Sequence, residues 1–155
     1  MTSDPRTAMS VEQMKAATRR LYVDVFGAGI LESADEIMAA SCIGHGPGTP
    51  PVEGTDPIKR QANVLRGAVP DLRVELEDQL AEDDRVASRW SVSGTNTGPL
   101  MTPAGSVPPT GRPVIFTELR IDRFEQGRIV ESWFLPDRLT LWQQLGLVPT
   151  PGAKD

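Results

Sequence analysis

The feature that most limits the possible folds is a change of hydrophobic period near Pro70. Before Pro70 the apolar residues recur at helical spacing, and from Leu72 onward they alternate with polar residues as in half-buried strands. Three helix starts lie in the first part, marked by the capping-box pairs Ser10/Gln13 and Ser33/Glu36 and by Asp56-Pro57. Helices that precede an antiparallel meander predict a mixed α+β domain.

The first predicted hairpin joins a strand that begins at Leu72 to a strand that contains Trp90. A three-residue loop sets apolar residues opposite one another, pairing Leu80 with Val86, Leu76 with Trp90 and Val74 with Val92. A loop one residue shorter would set apolar against polar residues, so the longer loop is the prediction. This register places Trp90 on the inner face of the sheet, and the same face leads on to Asn96.

The second predicted hairpin turns through Glu125-Gln126-Gly127, between a strand at 114–124 and a strand from Arg128 to about Leu135. Its predicted register sets Ile121 opposite Glu131, Leu119 opposite Trp133 and Ile115 opposite Asp137. The aliphatic residues of the first strand would then share the inner face with Ile129, Glu131, Trp133, Leu135 and Asp137. We therefore expect both carboxylates to point into the interior, with Leu119, Trp133 and Leu135 beside a substrate.

Asp137 and Glu131 are the candidate acid–base groups of this face. Desolvation among apolar neighbours would raise the pKa of either carboxyl, which suits a general acid or base. Asp137 also stands directly before a helical pattern, so an equal alternative is an N-cap, whose hydrogen bonds would lower its pKa. For Glu131 the alternative is a structural ion pair with an arginine.

Three further residues are candidates for contact with a ligand. His45 lies in the glycine-rich segment Cys42–Gly48, although an exposed, inert loop histidine is the more frequent case. Trp90 would be either a core residue or a substrate platform. Asn96 needs a partner on an inner face, since an unpaired buried amide costs about 1–3 kcal/mol. The Gly- and Pro-rich stretch 97–113 predicts a binding loop or lid, with a disordered excursion as the alternative.

Composition argues against several classes of protein. The formal net charge of −5 and the lack of any Lys/Arg run disfavour nucleic acid and anionic membranes as partners. One histidine and one cysteine cannot build a common zinc site, and no nucleotide-binding glycine motif is present, so no cofactor is expected. The single cysteine and the polar N-terminus favour a cytoplasmic protein. We expect one domain at 10–148 between flexible tails at 1–9 and 149–155.

Several short motifs occur in an order that resembles a known family. They are Pro70-Asp71-Leu72, Arg89-Trp90, Gly94-Thr95-Asn96-Thr97-Gly98, Pro109-Thr110-Gly111-Arg112, Gly127-Arg128-Ile129-Val130-Glu131-Ser132-Trp133, Asp137 and Gln144-Leu145-Gly146. Over roughly 10–148 the chain resembles the SnoaL-like polyketide cyclases, also labelled ester cyclases, of the NTF2-like superfamily. The resemblance implies a cone, in which a curved antiparallel sheet packs on N-terminal helices around an apolar cavity, and it implies a homodimer.

The resemblance also implies a reaction. In ring-closing members an aspartate that matches Asp137 is the general acid/base of a cofactor-independent intramolecular aldol condensation of a hydrophobic substrate. His45 matches a family histidine and is the second residue that we expect to be catalytic. Two departures are visible, because Asn96 stands where the family commonly has histidine and the loop 99–108 is longer. The expected function is therefore a small-molecule cyclase of natural-product biosynthesis.

Two alternatives to a cyclase stay open. An NTF2-like epoxide hydrolase or epoxide-opening cyclase would be favoured by a buried Asp–Arg–Asp relay, for which Arg123 is the only candidate arginine. A non-catalytic ligand-binding or dimerisation module would be favoured by a cavity closed by side chains.

Overall fold

The computed structural model of the protein describes residues 8–152. Its strands are β1 (Met38–His45), β2 (Val52–Glu53), β3 (Arg73–Glu82), β4 (Arg85–Thr95), β5 (Leu100–Thr102), β6 (Gly105–Val107), β7 (Pro113–Glu125) and β8 (Arg128–Pro136). Its helices are α1 (Val11–Tyr22), continued by a π-helical segment (Val23–Ala28), α2 (Glu32–Ile37), α3 (Asp56–Ala68) and α4 (Arg138–Gln144). No helix within 8–152 is long and apolar enough to cross a membrane.

The main sheet has six strands in the order β2-β1-β8-β7-β4-β3, and β5 pairs with β6 in a separate hairpin. Neighbouring strands in the main sheet are antiparallel, except that β1 runs parallel to β8. The helices precede the large meander, as the change of period indicated. The predicted α+β architecture, a curved sheet packed on N-terminal helices, is confirmed.

Helix α1 begins where its capping box predicted. The Ser10 hydroxyl accepts the backbone N–H of Gln13, and the Gln13 side chain accepts the backbone N–H of Ser10. At the far end of the helix the Tyr22 ring stacks on Phe26 and on Trp90 of β4, with centroids 4.7 and 4.4 Å apart. These rings hold the helix against one face of the sheet, which we call the inner face; the opposite side is the outer face.

The predicted tails are only partly within the described residues. Met9, which was assigned to the N-terminal tail, packs against the hydrophobic core, so that part of the prediction is wrong. Residues 1–7 and 153–155 lie outside the described residues.

Strand β1 was not predicted. It follows α2 directly, where the sequence indicated only a break, and it pairs with β8 through Ile43 opposite Glu131 and His45 opposite Trp133. The register shifts between Met38 and Ile43, so the strand lacks the regular alternation by which a half-buried strand is recognised in a sequence.

The first hairpin has the predicted register over only part of its length. Leu76 lies opposite Trp90 as expected, but a bulge between Leu76 and Asp78 shifts the remaining pairs, so that Leu80 lies opposite Ala87. A single extra residue exchanges the two faces of a strand. Leu80 therefore points outward and is 68% exposed.

A second bulge reverses the predicted faces of β8. Phe124 pairs with Ile129 while Arg123 pairs with Glu131, which leaves Val130 as the extra residue. Ile129 is fully buried on the inner face, and the residues beyond the bulge that were predicted inside lie on the outer face instead. The hairpin register also differs by two residues from the prediction, with Ile121 opposite Trp133.

Candidate functional site

A cavity of about 220 Å³ lies between the inner face and helix α3, and we call it the inner cavity. Its buried wall includes Met38, Ile58, Arg120 and Ser132, whereas Val52 is exposed and marks the side open to solvent. The remaining lining residues are Gly44, Gly46, Thr49, Gly54, Pro57, Gln61, Phe134 and Arg138.

Strand β7 places three ionisable side chains on the inner face, Glu118, Arg120 and Asp122, which are at most 4% exposed. Arg120 Nη1 donates to Glu118 Oε1 at 3.4 Å, and Nη2 donates to Asp122 Oδ1 at 3.2 Å. The Tyr22 hydroxyl donates to Glu118 Oε2 at 2.8 Å, and the Ser132 hydroxyl donates to Asp122 Oδ1. We call this connected set, from Tyr22 to Ser132, the buried charge chain.

Burial and pairing shift the pKa values within the buried charge chain. Burial raises the pKa of the Glu118 carboxyl, against the opposing effects of Arg120 and Tyr22. Burial also raises the pKa of the Tyr22 phenol well above its usual value, and the Glu118 charge adds to this. Burial by itself would lower the pKa of Arg120, but Asp122 and Glu118 together raise it above the ordinary value. Arg120 therefore stays a cation and Tyr22 a neutral donor, while Glu118 takes up a proton at higher pH than an ordinary glutamate.

Two atoms of the buried charge chain, Arg120 Nε and Asp122 Oδ2, have no hydrogen-bond partner among residues 8–152. The Arg120 guanidinium is held between the rings of Tyr22 and Phe134, whose centroids lie 5.7 and 5.9 Å from its central carbon. Leaving a buried polar atom unpaired costs about 1–3 kcal/mol. Because Arg120 and Ser132 both line the inner cavity, a ligand bound there could supply the missing acceptor for Arg120.

Trp90 lies on the inner face, as predicted, but packs as a core residue. It is fully buried, its ring stacks on Tyr22, and its Nε1 donates to the Ser88 hydroxyl at 3.1 Å. Trp90 does not line the inner cavity. Of the two interpretations of this residue, the structure fits the core interpretation.

Asn96 has all of its amide hydrogen bonds inside the protein. Its Nδ2 donates to the carbonyl oxygens of Ala68 and Gly98 at 2.9 and 3.0 Å. Its Oδ1 accepts from the backbone and hydroxyl of Thr110 at 2.8 and 2.9 Å. Asn96 thus ties both ends of the 97–113 stretch to the end of α3. That stretch carries the β5–β6 hairpin with Leu100 buried, so it is an ordered excursion.

The other predicted binding residues lie on the outer face. His45, Leu119, Trp133 and Leu135 line an apolar groove of about 580 Å³, which we call the outer groove. The prediction that Trp90 and Trp133 share one concave face is wrong, because the Val130 bulge turns Trp133 to the other side of the sheet.

Glu131 and His45 form a polar cluster at the outer face. His45 Nε2 lies 2.8 Å from Glu131 Oε2, and Arg123 Nε donates to Glu131 Oε1 at 3.2 Å. The His45 ring stacks on Trp133, with centroids 5.2 Å apart. The hydrogen bond to His45, with a further contribution from Arg123, lowers the pKa of Glu131. The predicted inward position and raised pKa of Glu131 are therefore wrong, and the arginine-pair alternative describes its contacts.

Asp137 is exposed and forms the N-cap of α4. Its carboxylate accepts the Thr140 backbone N–H at 3.0 Å and the Thr140 hydroxyl at 2.6 Å. These bonds lower the pKa of Asp137. The predicted inward position and raised pKa are wrong, and the capping alternative accounts for the geometry. A catalytic role for Asp137 stays a prediction.

The residues that sequence reasoning missed are Glu118, Arg120 and Asp122. They alternate with Leu119 and Ile121, and the usual rule assigned the aliphatic residues to the interior. The visible signal was the run of opposite charges at alternate positions, which can form internal ion pairs when they share one face. Arg123 was the arginine expected in a buried relay, whereas the arginine that lies buried between two carboxylates is Arg120.

Comparison with known proteins gives one family. The model of the SnoaL-like polyketide cyclases matches residues 16–145. IdmH from Streptomyces antibioticus, a suggested polyketide cyclase, is 31% identical, with a TM-score of 0.73 over 86% of this chain and 99% of its own. AclR from Streptomyces galilaeus, a suggested hydroxylase, is 27% identical, with a TM-score of 0.79 over 91% of this chain and 85% of its own.

A more distant structure shares the fold alone. An LEH-like epoxide hydrolase from M. tuberculosis is 12% identical, with a TM-score of 0.62 over 87% of this chain and 90% of its own. Among curated proteins no relative matches the sequence.

Proposed function

The chain belongs to the SnoaL-like polyketide cyclase family, and we propose that it is a cofactor-independent cyclase of natural-product biosynthesis that acts in the inner cavity. The observation that carries the proposal is the buried charge chain beside that cavity. Buried ion pairs stabilise a fold poorly compared with apolar residues of similar volume. Perturbed ionisable groups at a cavity are typical of acid–base sites. The substrate class, a polyketide-type carbonyl compound, is taken from the family and from the description of IdmH.

Ring closure of this kind needs a donor that holds an enolate oxygen and a base that removes a neighbouring proton. Arg120 Nε supplies the donor. Ser132 Oγ accepts the substrate proton while its own proton passes to Asp122 Oδ1, to which it is already hydrogen-bonded. The enolate carbon then bonds to a second carbonyl carbon, and the proton returns through Ser132 to the new alkoxide. The cycle consumes no co-reactant.

The alternative to Ser132 and Asp122 is that Asp137, together with His45, supplies the acid–base group. Asp137 lines a pocket with Leu119 and Leu135 on the outer side, and the resemblance assigns it the family's catalytic role. A base there would act on a ligand in or near the outer groove. If the base is at Ser132 and Asp122, substitution of Ser132 should abolish proton abstraction and substitution of Asp137 should not. If the base is Asp137, the reverse result is expected.

Proton abstraction can be measured without the natural substrate. We propose to follow deuterium exchange into the methyl group of 4-acetylbenzoate in D2O by proton NMR. The protein should accelerate exchange, Ser132→Ala should lower the enzymatic rate by about 10²–10⁴, and Asp137→Asn should leave it within about twofold. Thermal melts establish that each variant is folded. Loss of exchange in Asp137→Asn with retention in Ser132→Ala would place the base at Asp137 instead.

A second candidate function is epoxide opening, which one observation favours. Glu118, Arg120 and Asp122 form a buried carboxylate–guanidinium–carboxylate set, with a glutamate at one of the two positions where this alternative expects aspartate. Water would lose its proton through Ser132 to Asp122 as its oxygen attacks an epoxide carbon and the carbon–oxygen bond of the epoxide breaks. The proton would then return from Asp122 through Ser132 to the alkoxide that the opened ring leaves. Incorporation of ¹⁸O from labelled water into the diol of styrene oxide would support this candidate. Saturable binding without turnover in either assay would indicate a binding module.

The outer face supports the proposal that a second copy of the chain is the partner. Leu80, Ile115, Leu119, Ile121 and Leu135 expose apolar side chains there, each at least 41% accessible. Contiguous apolar surface of this kind is typical of an interaction site. A two-fold homodimer would cover the same patch on both chains.

A further inference from the structure

The charged side chains among the described residues that line the inner cavity are all positive. Arg120 and Arg138 both contribute to the lining, together with Thr49, Gln61 and Ser132, and no carboxylate is among the described lining residues. The apolar part of the wall includes Met38, Ile58 and Phe134. A ligand that matches this wall has an apolar body and polar ends that accept hydrogen bonds or carry negative charge.

At the buried wall of the cavity, Arg120 has one donor atom without a partner in the described part of the chain. Arg120 uses its two terminal nitrogens on Glu118 and Asp122, while its Nε has no partner among the described residues. The adjacent Ser132 hydroxyl gives its proton to Asp122 and therefore presents only lone pairs to the cavity. A carbonyl oxygen on the ligand would satisfy Arg120 Nε, and its neighbouring C–H would face Ser132.

The solvent side of the cavity offers a cation. Arg138 is the first residue of α4, is half-buried, and forms no ion pair with any residue between 8 and 152. The carboxylate of the preceding Asp137 is engaged by Thr140. An arginine without a carboxylate partner at a cavity wall is suited to bind a ligand carboxylate, which it can hold with two parallel hydrogen bonds.

The size of the cavity restricts the ligand further. Its 220 Å³ lies below the range of about 300–1,000 Å³ that is usual for drug-sized ligands. The Phe134 ring packs against Gly46, where an added Cβ would come within 2.9 Å of it, so this wall has little room to widen. The cavity therefore fits a molecule the size of a single ring rather than several fused rings.

We propose that the inner cavity binds a small oxo-carboxylic acid, with its carbonyl oxygen on Arg120 Nε and its carboxylate on Arg138. This deepens the proposed function, on whose site it rests, by naming the substrate class. The carbonyl end lies next to Ser132 and Asp122, where a proton is removed, and the carboxylate end fixes the orientation of the molecule.

Three ligands of nearly equal shape test the two ends separately. 4-Acetylbenzoate carries both groups, methyl 4-acetylbenzoate lacks the charge, and 4-isopropylbenzoate lacks the carbonyl oxygen. The affinity of 4-acetylbenzoate, measured by titration NMR, should be at least about tenfold higher than that of either analogue, as expected for loss of one charge-assisted hydrogen bond. The ¹⁵N–¹H signal of Arg120 Nε should shift with 4-acetylbenzoate and not with 4-isopropylbenzoate, a comparison that needs no substitution of Arg120.

Protein variants test the outer end. Arg138→Gln should lower the affinity for 4-acetylbenzoate about tenfold and leave the affinity for its methyl ester unchanged. Arg60→Gln, on the exposed side of α3 and outside the cavity lining, is the matched control and should change neither affinity. Equal affinities for the acid and its ester, an Arg120 Nε signal that does not move, or no saturable binding at millimolar concentration would each overturn the proposal. Binding as expected without deuterium exchange would refute the proposed catalysis and leave the ligand class standing.

Discussion

Arg120→Met is the substitution that most directly tests the buried charge chain. Arg120 is 4% exposed and is the ion-pair partner of both Glu118 and Asp122, which are 3% and 0% exposed. Methionine preserves most of the volume but leaves both carboxylates buried without their cation. Removal of one partner from a buried ion pair costs about 3–5 kcal/mol. For a chain of this size that corresponds to a fall in Tm of roughly 6–20 °C at neutral pH.

If the loss of stability in Arg120→Met comes from unpaired buried charge, it should depend on pH in a defined direction. Burial already raises the pKa of Glu118 in the native protein, and without the opposing guanidinium that pKa should lie further above its unfolded value in the variant. A group whose folded pKa is raised contributes stability at low pH that is lost as pH rises through that pKa. The defect should therefore be largest at pH 7.5 and shrink at pH 5, as measured by chemical denaturation.

Two controls separate charge from packing in the Arg120→Met experiment. Adding Glu118→Gln and Asp122→Asn to Arg120→Met removes the unpaired charges and should restore most of the lost stability. Arg19→Met, at an exposed arginine on α1, should change stability by no more than about 0.5 kcal/mol. A variant Arg120→Met that is as stable as the native protein at pH 7.5, or a defect that is unchanged at pH 5, would refute the ion-pair argument.

Three further predictions concern other parts of the chain. Asp137→Ala should lower the Tm by about 2–4 °C at pH 7. Because the pKa of Asp137 is lowered in the folded protein, this difference in Tm should disappear as pH falls through that pKa. Equal Tm values at pH 7 would contradict the capping role. Asn96→Ala should cost about 2–4 kcal/mol of stability and open the 97–113 stretch to limited proteolysis, whereas an uncleaved stretch would show that other contacts hold it. Ile121→Asp on the outer face should convert a dimer to a monomer in light scattering, and a native protein that is itself monomeric at micromolar concentration would refute the proposed partner.

Two helix starts followed from local chemistry and were predictable from the sequence. The predicted capping box of Ser33 and Glu36 is wrong, because α2 begins at Glu32 and its N-cap, Leu31, makes no side-chain hydrogen bond. The capping box at Ser10 fixed the start of α1, and Pro57 lies in the first turn of α3 as expected. These signals depend on residues within one turn of each other, so they need no knowledge of the remaining fold. The general architecture could be predicted for the same reason, because the change of period near Pro70 is also a local property.

The faces of the strands could not be predicted in the same way, because they depend on two single-residue bulges. The bulge after Leu76 turns Leu80 outward, and the bulge at Val130 turns Trp133 outward. A bulge is a compromise between strand pairing and sheet curvature, and no glycine or proline marks either one in this sequence. Once Val130 was counted as an ordinary strand residue, every predicted side chain beyond it was assigned to the wrong face.

The location of the candidate site failed for a related reason. Hydrophobic patterning places Ile121 inside and Arg120 outside, and it is correct for most half-buried strands. Here Arg120 is stabilised inside by carboxylates at both neighbouring positions of its own face, which a residue-by-residue hydropathy argument does not consider. Four of the predicted residues, His45, Leu119, Trp133 and Leu135, line the outer groove together because they do share one face, although not the face that was expected.

The middle of strand β7 has Leu119 and Ile121 outside and Glu118, Arg120 and Asp122 inside, the reverse of an ordinary sheet strand, although Val114, Phe116 and Phe124 are buried nearer its ends. Each side of this middle part requires its own compensation. Inside, Glu118, Arg120 and Asp122 compensate one another; outside, Ile121 and its neighbours need a covering surface, which a second copy would supply. The two compensations lie on opposite faces of the sheet, and Ile121 is not among the described residues that line the inner cavity. Ile121→Asp should accordingly give a monomer that still binds 4-acetylbenzoate. Loss of binding together with loss of the dimer would mean that the partner chain shapes the cavity.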